Sequence, residues 1–192
     1  MPHFDASLPQ YILKHHIERE AQAFRCYLGL DADAPVDAVQ IAEWLGIDVR
    51  YPGDLRYLSH EAHDALIGEH RSQWSGITYH LPGGIIVAVL NPQHSQSRQQ
   101  ATLMEEVAHV HLGHAPSALK IEPQTGSMTR TYDKRCEQEA YWFGSAVLVP
   151  KSGLRQLYGL GYTPAAAAAH FGVSDALVTF RTNLCGLGKL AG

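Results

Sequence analysis

Apolar residues along the chain recur with helical period in some stretches and strand period in others. Between residues 9 and 28, Ile17, Ala21, Phe24 and Leu28 stand at i, i+4, i+7 and i+11 with Glu18, Arg19 and Gln22 among them, which predicts an amphipathic helix stopped by Gly29. A shorter helix follows, opened by Pro35, with Val39, Ala42 and Leu45 on one face and Gly46 leading into a strand at Ile47–Tyr51. The stretch 58–70 keeps helical spacing but is interrupted by polar and charged residues, and it is assigned to no element. Residues 74–80 and 85–90 flank Leu81-Pro82-Gly83-Gly84, a sequence suited to chain reversal, so the two runs predict a β-hairpin. The second run, Ile-Ile-Val-Ala-Val-Leu, is continuously apolar, as expected of a central strand covered on both faces.

Asn91-Pro92 ends that strand, and Ser97 with Gln100 forms a capping-box pattern that opens a helix over roughly 98–112. Ala101, Met104 and Ala108 make one apolar stripe on it and Leu103, Val107 and Val110 another, so this helix is expected to be buried. Residues 115–132, rich in Pro, Ser, Thr and Gly, read as a loop; Asp133 begins another helix that runs to Leu148 and is closed by Pro150. Further on, Thr163-Pro164 starts a helix, Gly172 breaks it, and Ser174-Asp175 caps the next, the layout of a helix-turn-helix.

Composition adds constraints. A chain of 192 residues with 45% hydrophobic and 18% charged residues has enough apolar surface for one sizeable core, which excludes a disordered chain, and no apolar run long enough to span a membrane. The first residues lack a basic then apolar leader, and Cys26, Cys136 and Cys185 are widely spaced, which points to a reducing, cytoplasmic setting without a disulfide framework. The net charge of −4 does not suit a nucleic-acid binder. Residues 151–192 carry Lys151, Arg155, Arg181 and Lys189 against Asp175 alone, yet the second helix of the helix-turn-helix offers only Arg181, so direct nucleic-acid binding is disfavoured and a helical cover over the rest of the chain is preferred.

Histidine stands out: there are twelve, and His109, His111 and His114 fall within six residues. Inside the helix expected to be buried lies Glu105-Glu106-Val107-Ala108-His109. Charges there are costly unless paired or bound to a metal. Glu105 and His109, four apart, project from one face and could offer two ligands to one ion, while Glu106, offset by about 100°, could reach a water beside it. An ordinary helix bearing two carboxylates and a histidine has the same pattern. On the next helix, Glu137 shares a face with Ala140, Tyr141, Gly144 and Leu148, and the small residues would let the two helices approach closely. Glu139 lies about 200° away on the wheel, so Glu137 is the candidate third ligand and Glu139 is expected to be solvated. His111 is expected on another helix face, hydrogen-bonded or at the surface; His114 joins the set only if the chain turns back at Gly113.

The pattern R-x-x-x-T-L-x-E-E-x-A-H-x-x-L-G-H from Arg98 to His114, with E-x-E-A-Y-x-x-G-x-x-x-L-V-P from Glu137 to Pro150, resembles the ImmA/IrrE family of zinc metallopeptidases. P-V-D-x-x-x-I-A-x-x-L-G-I at Pro35–Ile47 and V-S-x-x-L-V-x-x-R at Val173–Arg181 extend the similarity over about residues 17–187. The resemblance implies an α+β fold: a zincin-like core over residues 1–150, with a small sheet of about three strands and packed helices, and a helical C-terminal segment, 151–192, packed on it. It also implies an intracellular bacterial endopeptidase, commonly of a mobile element or stress regulon, that cleaves a helix-turn-helix repressor. His109 and Glu137 then take the places of metal ligands and Glu106 that of general base. Glu105 stands where the family usually has its first histidine, in a subfamily pattern E-E-x-A-H. Two carboxylates cancel the charge of a dication, which weakens it as a Lewis acid and shifts preference from zinc towards manganese. A non-catalytic relative that binds a regulator or a metal without proteolysis is therefore the alternative; the oligomeric state is left open.

Overall fold

The computed structural model describes residues 10–55, 59–60, 64, 67–68, 74–115, 119–121, 128–130 and 133–191. The unassigned stretch 58–70 thus lies mostly outside the described residues. The fold is α+β. Helix α1 (Gln10–Tyr27) buries Leu13, Ile17, Ala21 and Phe24, the face set by the apolar repeat. Helix α2 (Ala38–Trp44) begins later than Pro35 suggests: Asp37 is the cap, its side chain accepting from the Val39 N–H, and residues 35–37 precede the helix. Strand β1 (Ile47–Arg50) follows.

Strands β2 (Gly76–Leu81) and β3 (Ile85–Leu90) form the expected hairpin, reversed through Gly83 and Gly84, both at positive φ. The sheet order is β1-β3-β2, with β1 parallel and β2 antiparallel to the central β3. Burial of β3 is confined to its second half, Ala88–Leu90.

Helix α3 (Gln96–Leu112) is capped by Ser95, not Ser97: the Ser95 Oγ accepts from the Arg98 N–H. Gln100 is drawn elsewhere, its Oε1 accepting from Ala38 N at 2.7 Å, so it ties the start of α2 to α3. The stretch read as a loop contains two short antiparallel strands, β4 (Leu119–Ile121) and β5 (Met128–Arg130). A 3-10 turn at Pro52–Asp54 follows β1, and helices α4 (Lys134–Leu148), α5 (Lys151–Gly159), α6 (Pro164–Phe171) and α7 (Asp175–Cys185) make up the later part of the chain. Asp133, Thr163 and Ser174 cap α4, α6 and α7 with their side chains as the sequence indicates, whereas α5 carries no such signal beyond Pro150.

One apolar cluster runs through all of these helices, from Leu13 to Leu187, with α3, α4 and α1 at its centre. Two buried arginines cross it. Arg25 donates to the carbonyls of Val147, Asp31 and Ala34, each at 2.7 Å. Arg181 donates to the Val149 carbonyl at 2.9 Å and pairs through both terminal nitrogens with the Glu18 carboxylate, so the sole basic residue of α7 faces the core. Among the described residues no helix is long and apolar enough to cross a membrane.

Candidate metal centre

Helices α3 and α4 pack against each other at unusually close range, and Gly144 is the reason. A Cβ on Gly144 would stand 3.0 Å from the Met104 carbonyl oxygen and 3.3 Å from the Glu105 nitrogen, a contact made by backbone. Ala140, one turn earlier on the same helix, is fully buried. The approach sets the helix bearing Glu105 and His109 opposite the one bearing Glu137.

Glu105, His109 and Glu137 each offer one ligand atom, and the three atoms lie within 4.8 Å of one another. The His109 Nε2 is 3.7 Å from the Glu137 Oε2. Ligands held about 2.0–2.1 Å from a tetrahedral zinc stand about 3.4 Å apart, so the donors are close to the spacing an ion needs. Electrostatics point the same way. The Glu105 carboxyl is pushed up to about 7 by burial, then by the charges of Glu106 and Glu137. Carboxylates crowded at that cost are relieved by a cation, and two carboxylates with one imidazole suit zinc or manganese. The residues present therefore fit a divalent ion.

Glu106 lies next to this group, half-buried, and its charge acts on Glu105. Tyr141, one turn beyond Glu137, is 38% exposed and feels the Glu105 charge; burial and that charge raise its phenol above the ordinary tyrosine range.

His114 is placed differently from the expectation that made it a further ligand. Gly113 ends α3 in the left-handed region at φ 70° and the chain does turn back, but the His114 ring settles behind His109 instead of joining the three donors. Its Nδ1 is 3.0 Å from the His109 Nδ1, and its Nε2 is 3.3 Å from the Glu139 Oε2. Glu139 is correspondingly not solvated. It is 5% exposed, and its Oε1 accepts from the Arg135 Nε at 2.7 Å. The wheel separates it from Glu137 as expected, but the face it occupies is covered by a histidine 25 residues earlier in the chain. His111 is on another face, hydrogen-bonded to Glu20 at 3.1 Å and stacked on Phe143. Sequence reasoning missed Arg135, whose only local signal is its i, i+4 spacing from Glu139.

A family model described as Peptidase_M78, IrrE N-terminal-like domain, matches residues 60–183, a span that includes α3, α4 and most of the C-terminal helices. No curated protein and no solved structure matches the chain.

Proposed function

The chain belongs to the Peptidase_M78 family of IrrE N-terminal-like domains, and from this membership we propose that it is a metal-dependent endopeptidase that cuts a helix-turn-helix transcriptional repressor in the cytoplasm. The observation that carries the reading is the convergence of Glu105, His109 and Glu137 across the α3–α4 contact with Glu106 beside them. Those three residues would hold zinc, or manganese, which when bound supplies Lewis acidity and lowers the pKa of water. Glu106 accepts the proton of the attacking water on its carboxylate and returns it to the leaving amine nitrogen. The Tyr141 phenol, held above its ordinary range by burial and by the Glu105 charge, keeps its hydrogen and is available to donate it near Glu105. An extended substrate segment would lie along the sheet edge at β2, where Tyr79 and Leu81 are exposed. Three free cysteines support a reducing compartment.

A second reading rests on Glu105. With a carboxylate in place of a second imidazole the donors neutralise a dication, and a family member of this kind could bind the regulator without cleaving it. Glu106→Gln separates the two. It should remove about 10²- to 10⁴-fold of turnover while leaving metal content unchanged, read by gel assay with a cognate repressor. If wild type and variant both bind the repressor and neither cuts it with zinc or manganese, the peptidase reading fails.

A further inference from the structure

We propose that Glu139 and His114 form a hydrogen-bond relay that fixes which ring nitrogen of His109 faces Glu105 and Glu137, making both positioning residues. The inference rests on the metal-centre reading and goes beyond it.

The direction of each hydrogen bond follows from the one before. The Glu139 carboxylate is held by the Arg135 guanidinium on one oxygen, so its other oxygen, 3.3 Å from the His114 Nε2, can only accept. His114 must therefore carry its hydrogen on Nε2. If that is the ring's single hydrogen, the His114 Nδ1 is an acceptor, and the lone pair that a cation needs on the His109 Nε2 requires the same direction, because it leaves the His109 hydrogen on Nδ1. The polar atom facing that Nδ1 is the His109 Nδ1, at 3.0 Å, so His109 donates from Nδ1 and keeps a lone pair on Nε2. Nε2 is the atom 3.7 Å from Glu137 in the three-donor group. In the other tautomer His109 would direct a hydrogen at two carboxylates and present no lone pair to a cation. Outer partners of this kind set ligand tautomer and ring orientation, but here a second histidine stands between ligand and carboxylate.

The fold builds the relay from three separate local features. Gly113 in the left-handed region swings His114 back under its own helix. Asp133 caps α4 by accepting from the Arg135 and Cys136 N–H groups, and within that helix the i, i+4 spacing sets Arg135 and Glu139 on one face. Burial of both His114 and Glu139, whose side chains are each 7% exposed, keeps water from replacing either partner.

The test uses the full chain and zinc alone, with affinity measured by competition against a chromophoric chelator. His114→Gln keeps a carbonyl oxygen for the His109 N–H and an amide N–H for Glu139, whereas His114→Leu keeps neither. Zinc affinity should fall about 10- to 100-fold in His114→Leu and be largely recovered in His114→Gln. Equal affinities in the two variants, whether both normal or both weakened, overturn the relay. A second measurement needs no variant. In the cobalt-loaded wild type, the paramagnetically shifted His109 Nδ1–H proton should exchange slowly with solvent, and rapid exchange overturns the proposal even if His114→Leu fails to fold. The metal-centre reading fails by a different result, namely Glu137→Ala binding zinc as tightly as wild type.

Discussion

Glu105 is the residue on which the electrostatics of the site converge, because burial and the charges of Glu106 and Glu137 all push its carboxyl upward, to about 7. Without metal, the folded protein holds a proton there that the unfolded chain releases near pH 4.5. Its contribution to stability is then fully present below pH 4.5 and is lost as the pH rises through 7, a swing of about 3 kcal/mol. In chelator, Glu105→Gln should flatten this slope and leave the variant more stable than wild type at pH 8, as followed by urea unfolding at several pH values. An unchanged slope would show that another group titrates. A cation at the site reverses the preference, since zinc needs the carboxylate, so its uptake should release a proton below pH 7. At this scale the sequence carried Glu105, His109 and Glu137 through one helical spacing and one stripe of small residues. The burial of Glu139 is not legible in the sequence, because a wheel says which way a residue points but not what covers it, and its cover is His114.

Gly144 governs the helices as Glu105 governs the charges. Gly144→Ala places a methyl against the Met104 carbonyl and the Glu105 nitrogen, backbone atoms that yield only if α3 and α4 separate. A stability loss of about 1–3 kcal/mol is expected in denaturant unfolding, with weaker zinc binding, because the separation also pulls Glu137 away from Glu105 and His109. Wild-type zinc affinity in a destabilised variant would mean that the helix contact does not set the donor spacing. Most elements were legible from apolar period and capping residues, and their boundaries less so. Ser95 and Ser97 both match a cap, and the choice falls to Ser95 while the Gln100 amide is drawn to Ala38. Strands β4 and β5 are three residues each, too short for any period to show.

Across the whole molecule the C-terminal helices share the apolar cluster with α1, α3 and α4, and Arg181 joins them to Glu18 and Val149. Arg181→Met leaves a carboxylate and a carbonyl without their partner, and a loss of about 3–5 kcal/mol is expected in thermal or urea unfolding. A loss under 1 kcal/mol would mean that water replaces the guanidinium at no cost. The helix-turn-helix layout was legible, but the role of Arg181 was not, because its partner lies 163 residues away in sequence. That separation has a consequence for biosynthesis. Chains are made from the N-terminus at about 5–20 residues per second, so Glu18 is polymerised about 8–30 seconds before Arg181. Until Arg181 has been added, the Glu18 carboxylate and the Val149 carbonyl stand without this guanidinium, and the clasp across the core cannot close.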